Sequence, residues 1–232
     1  MISVKDMIDV VYTYYPRKIA RSDDEYARSP EYQRLIQARR KAGAENGTWR
    51  ELLRRLGELF PANSVMNDSL HLPTGNLDGG YSGMVTLSAD TTIGFLVSFL
   101  VPHYVVYCTR SVDVSNPPTA SSPGPSIIFV GDTCHILPAW AAKLGALLPG
   151  RAELDSITNS PFDSTRVDFD FGNEERLHAT KIIKEIETIW GYENMPPEIG
   201  TVIVPDVATD NRELGRATLY DCLFSDDRLD PG

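Results

Sequence analysis

The stretch "VGDTCHILPAW", Val130 to Trp140, sets a thiol beside an imidazole, with Cys134 followed directly by His135. Only the thiolate is nucleophilic, so a catalytic cysteine needs a base within hydrogen-bond reach. The stretch reads as an apolar strand, on which neighbouring side chains point to opposite faces. Cys134 and His135 then cannot act as a pair, and a base would have to come from His71, His103 or His178. Free cysteine packs as a small apolar residue. The expectation is a core strand that happens to carry a cysteine.

Three other segments could carry chemistry. "DFDFGNEE" places Asp168 and Asp170 two apart, an Asp-x-Asp that in some metal-dependent transferases holds a cation. A strand with Val167, Phe169 and Phe171 inward and a solvated acidic outer face explains the same alternation. An EF-hand loop is excluded because Gly172 stands at its third ligand position. "PTGNLDGGYSG" has the glycine spacing of a phosphate loop at Gly75 and Gly80, but Tyr81 stands where the lysine must be. Gly75 to Gly83 is expected to be a tight exposed loop able to touch a partner. "LYDCLFSDDRLD" interleaves Asp221, Asp226, Asp227 and Asp230 with Leu, Tyr and Phe, as a protein-binding surface does or as a polar terminal tail does. The sequence contains no G-x-S-x-G nucleophile elbow, no HExxH and no histidine cluster with ligand spacing.

The 232 residues carry a net charge of -10, unevenly spread. Residues 1–60 hold 12 Lys/Arg against 9 Asp/Glu, residues 61–150 hold 2 against 5, and residues 151–232 hold 8 against 18. An acidic chain without a basic run is a poor match for phosphate backbones, so nucleic acid is not an expected partner. The same field would steer a basic protein onto the surface. Three cysteines, Cys108, Cys134 and Cys222, with no CxxC pair, suit neither a disulfide scaffold nor a zinc site. Lys5, Asp6 and Asp9 interrupt any signal-peptide core. The apolar run Thr91 to Cys108 approaches membrane-spanning length but is broken by Pro102 and His103, and is expected to form two buried strands. A cytoplasmic protein without membrane contact follows.

Behind these segments stand the elements that must position them. Residues 1–60 read as helices. Ser3 caps the first, and Ser29 with Pro30 opens another. Thr48 and Glu51 offer a capping box for a third, whose buried face is Leu52, Leu53, Leu56, Leu59 and Phe60. From about residue 63 short β-type runs take over, with a flexible loop at 115–126 and a helix expected over Pro138 to Leu148. The last third holds the strand "RVDFDF", then a helix capped by Asn173, with Leu177, Ile182, Ile183, Ile186, Ile189 and Trp190 as its apolar stripe and Gly191 as its stop. "GTVIVP" and "ATLYDCLFSDD" complete it as strands. The expected fold is one α+β domain over 1–232, with N-terminal helices (1–60) packed on a mostly antiparallel sheet (61–232) and a further helix in the C-terminal third.

In size, acidity and its tyrosine- and tryptophan-bearing acidic segments, the chain resembles the immunity proteins of bacterial polymorphic toxin systems. The resemblance is of overall character and matches no family motif. It implies a non-enzymatic inhibitor without a cofactor, whose protein partner is a cognate, basic toxin domain. The expected contact surface comprises Asp168, Asp170, Glu174, Glu175, Asp226 and Asp227, with Tyr81, Tyr192 and Tyr220 as anchors. The competing reading is a small enzyme using Cys134, or a metal at Asp168 and Asp170.

Overall fold

The computed structural model describes residues 3–62, 64–69, 79–112, 126–130, 133–137 and 164–224; for 111–112, 126–130, 133–137 and 164–166 it describes the backbone only. Helix α1 (Val4–Tyr14) starts where Ser3 and Asp6 exchange bonds: the Ser3 hydroxyl accepts from the Asp6 amide at 3.2 Å, and the Asp6 carboxylate accepts from the Ser3 amide at 3.1 Å. A short turn, α2 (Asp24–Arg28), leads into α3 (Pro30–Ala44), which opens on the Ser29 cap and Pro30 as expected. Helix α4 (Gly47–Leu59) begins earlier than its expected cap. Thr48 therefore lies inside the helix, and the Thr48–Glu51 capping box does not form. Glu51 instead grips Arg54 at 2.7 Å and Arg55 at 2.9 Å, which holds its carboxyl down at about 2. Leu59, expected in the buried face, is exposed.

The strands are β1 (Val65–Asn67), β2 (Gly80–Thr86), β3 (Thr91–Ser98), β4 (His103–Val112), β5 (Ser126–Val130), β6 (Thr133–Leu137), β7 (Ser164–Asp168) and β8 (Glu193–Asn194). In space they run β1-β2-β3-β4-β7-β5-β6, antiparallel throughout, and β8 pairs in parallel with the start of β4. Gly80 to Gly83, expected in a loop, form the first half of β2. At Gly83 a side chain would strike the Phe95 ring, so glycine here serves a close approach rather than a turn. Residues 70–78, 113–125, the expected helix at 138–148 and Asp226–Asp227 lie outside the described residues.

Helices cover both faces of β2–β4. On one face Val85, Ile93, Phe95, Val97, Tyr104 and Val106 pack against Trp49, Leu52 and Leu56 of α4 and Ile182 and Ile186 of α5 (Asn173–Trp190). On the other, Leu96, Val105, Tyr107 and Val167 meet Met7, Val11, Leu35 and Leu223. Two-sided burial explains why "GFLVSFLV" and "HYVVYC" are continuous apolar runs without alternation. Thr91 to Cys108 is thus a buried hairpin, and among the described residues no helix is long and apolar enough to cross a membrane.

Helix α5 starts behind Gly172, so Asn173 is its first residue rather than its cap, and Gly191 stops it in the left-handed region at φ 65°. Leu177 stands exposed outside the stripe. Beyond β8, a turn of helix α6 (Pro197–Gly200) precedes two departures from expectation. "GTVIVP" makes one isolated bridge, Ile203 to Thr218, instead of a strand. "ATLYDCLF" forms helix α7 (Leu219–Leu223), opened by a Thr218–Asp221 capping box and buried at all five positions. A segment buried all round shows no period by which a short helix could be told from a strand. The N-terminal helices, the mostly antiparallel sheet and α5 make a single α+β fold.

Candidate functional site: an aromatic cleft

Four distant segments bring rings to one open cleft of about 320 Å³: Tyr14 from α1, Tyr81 from β2, Phe99 just after β3, and Trp190 and Tyr192 from either side of Gly191. Tyr81, 8% exposed, lines it from the core. Its ring stacks on Trp49 at 5.1 Å and 11°, and its hydroxyl donates to the Ala42 carbonyl at 2.8 Å, which fixes the ring between α3 and α4. Phe99 stands edge-on to Tyr81, with centroids 5.9 Å apart at 71°, so the two rings make a corner. The opposite wall depends on the stop of α5. The left-handed turn at Gly191 reverses the chain and sets Tyr192 beside Trp190 at 6.2 Å and 37°. Two bonds anchor this segment to β4 and the residue before it: Glu193 N–H to the Pro102 carbonyl at 3.1 Å, and the Tyr104 hydroxyl to the Glu187 carboxylate at 2.8 Å.

The lip is polar. Lys41 and Glu45 line it as a loose pair at 3.9 Å, with side chains 73% and 68% exposed. Burial first, then the neighbouring Tyr192 and Glu45, push the Tyr81 phenol above its ordinary range, and burial does the same to Tyr192. Both phenols stay protonated at neutral pH and offer no base. Among the described residues the Tyr14 and Tyr192 hydroxyls and the Trp190 indole N–H make no hydrogen bond. Fixed rings, unspent polar groups and one carboxylate equip the cleft to bind.

The cleft unites Tyr81 and Tyr192, two of the three expected anchors. Tyr220 is not with them. It is 1% exposed, stacked on Phe169 at 5.9 Å within the core, because α7 is buried on every side; it cannot meet a partner. The expected acidic face also divides. Strand β7 ends at Asp168, so Asp168 and Asp170 share no strand face. Asp168, 9% exposed, turns under α5 and pairs with Arg110, which also holds Glu175 at 3.1 Å. Asp170 is out in solvent, 3.6 Å from Arg176, and Glu174 is exposed on the first turn of α5. Two carboxylates aimed apart cannot share a cation, and no group of three potential ligands occurs among the described residues.

Cys108 and Cys222 are buried, and burial raises both thiols, Cys108 to about 11. Cys134 and His135 are consecutive residues of β6; their thiol and imidazole lie outside what is described. Trp190, Phe99, Tyr14 and Glu45 were not among the expected site residues. The one local signal was the "WGY" at 190–192, an aromatic on each side of a helix-stopping glycine. No protein-family model, curated protein or solved structure matches this chain.

Proposed function

We propose that the chain is a non-enzymatic protein-binding inhibitor, in the manner of an immunity protein that neutralises a cognate toxin domain, and that it holds its partner through the aromatic cleft. The observation that carries this reading is the convergence of five rings from four chain segments on one open cleft. Binding energy at protein interfaces concentrates in a few aromatic anchors near the centre, and rings already fixed lose little freedom on association. Tyr81 is held by Trp49 and Ala42, and Trp190 packs beside Tyr192. The exposed carboxylates of Asp170 and Glu174, within a chain of net charge -10, would steer a basic partner and give it orientation. Such an inhibitor acts in the cytoplasm.

The test is affinity capture of the tagged chain from its own cells at low and then high salt, followed by expression of the captured protein with and without the chain. The reading expects one basic protein at equal stoichiometry, toxic when expressed alone and harmless when co-expressed. It fails if no stoichiometric partner is retained, or if the partner's activity is untouched by the chain.

A further inference from the structure

We propose that the cleft receives an arginine side chain of the partner, its guanidinium stacked on the aromatic walls and hydrogen-bonded to Glu45 and the free phenol oxygens. This rests on the reading of the cleft as the partner-binding site.

Four observations favour a guanidinium. Five of the residues lining the cleft are aromatic, and the negative quadrupole of a ring face attracts a cation within about 6 Å of its centroid. The acceptors lining the cleft are the Glu45 carboxylate and the Tyr14 and Tyr192 hydroxyl oxygens, and the two hydroxyls make no hydrogen bond among the described residues. Glu45 has a partner in Lys41, but at 3.9 Å with both side chains mostly in solvent that pair is weak and easily exchanged. An anion would meet the Glu45 carboxylate at the lip. An apolar side chain would bury phenols, an indole N–H and a carboxylate edge without satisfying them.

The same chain already builds this arrangement elsewhere. The Arg21 guanidinium lies 4.8 Å from the Tyr26 ring centroid and 4.9 Å from that of Tyr32, while its Nε donates to Asp210 at 2.6 Å. Two rings and one carboxylate suffice there to hold a guanidinium in a half-buried position. The cleft is also lined by rings and a carboxylate, with Lys41 but no arginine among its lining residues. Arginine suits it better than lysine because a planar fork can stack with its faces and donate with its edges at once.

The test uses the full chain labelled with ¹⁵N and follows the indole resonance of Trp190, one of three tryptophans. Acetyl-Gly-Arg-Gly-amide is titrated into the millimolar range against the same peptide carrying citrulline, which keeps the shape and loses the charge. The proposal expects a saturable shift of the Trp190 indole, with citrulline at least about fivefold weaker, in line with the strength of a cation on an aromatic face. Glu45→Gln, at an exposed site, should weaken arginine binding several-fold and leave the Trp49 indole where it was. Equal shifts from citrulline, or no shift of Trp190 at the highest concentration, overturn it. The two failures separate. If capture yields a partner whose binding needs Trp190 and Tyr192 while arginine does not titrate, the inhibitor reading stands and the arginine falls. If arginine titrates and capture yields nothing, the reverse holds.

Discussion

Arg110 on β4 pairs with Asp168 on β7 and with Glu175 on α5, and so ties the buried Asp168 carboxylate to a cation shared by the two elements. Removing one partner of such a pair leaves the other charge less compensated in a buried place, and that loss outweighs what the pair contributed. Arg110→Ala should therefore cost about 2–3 kcal/mol, below the full figure for a dry pair because Arg110 is 31% exposed. Adding Asp168→Asn should recover part of it; thermal unfolding of the two variants checks both. The thiols give a pH dependence. Cys108 is raised to about 11 by burial from an ordinary 9.0, so the fold favours the protonated form. The unfolded chain releases that proton from about pH 9, so the stabilisation is complete below 9 and lost as pH rises towards 11. It amounts to up to about 3 kcal/mol. Burial shifts Cys222, Tyr26 and Tyr220 in the same direction. The urea midpoint should hold between pH 7 and 8 and fall above 9, and neither Cys108 nor Cys222 should react with a thiol reagent at pH 8 before unfolding. A flat midpoint to pH 10 would contradict this.

The central hairpin shows how far elements could be read from residues and where that reading ends. Strands β3 and β4 were legible because "GFLVSFLV" and "HYVVYC" are too apolar for a half-exposed sheet and are broken by Pro102 and His103. What covers their second face was not legible, since α1, α3 and α7 come from both ends of the chain. Their fit against each other depends on Gly94, where a Cβ would stand 2.2 Å from the Tyr107 ring. Gly94→Ala should cost about 1–3 kcal/mol by overpacking, and much less in a Tyr107→Leu background, as a double-mutant cycle in urea would read. Helix α7 went unread for a different reason. Its burial on every side erases periodicity, and its one local signal is the capping pair, Thr218 and Asp221 three residues apart, whose mutual bonds are 2.7 and 3.2 Å. Thr218→Ala should cost about 1 kcal/mol and, because α7 lies in the core, lower the global midpoint rather than fray one end. Two midpoints in place of one would refute that. The start of α4 was misplaced because Thr48 and Glu51 fit a capping box in sequence, while Arg54 and Arg55 compete for the same carboxylate in space.

At the scale of the molecule, the acidic character, the two parts of the chain and the overall fold followed from charge distribution and pattern, whereas the cleft did not. Tyr14, Tyr81, Phe99 and Trp190 sit in four segments whose meeting depends on sheet order and on the return of α5, and no spacing in the sequence encodes that. Of the three tyrosines that residue types nominated, Tyr81 and Tyr192 line one cleft while Tyr220 lies in the core, because a tyrosine in a short buried helix looks in sequence the same as one on a surface. If the acidic surface steers the partner, its association rate should fall steeply with salt while its dissociation rate, governed by the rings, changes little. The most direct test of the account is the affinity of the captured partner for the Trp190→Ala, Tyr192→Ala variant, measured by titration calorimetry beside the unaltered chain at equal thermal stability. The account predicts a loss of at least about 2 kcal/mol, some thirtyfold, as for central aromatic anchors. Unchanged affinity in a variant that folds as well as the parent would show that the partner binds elsewhere.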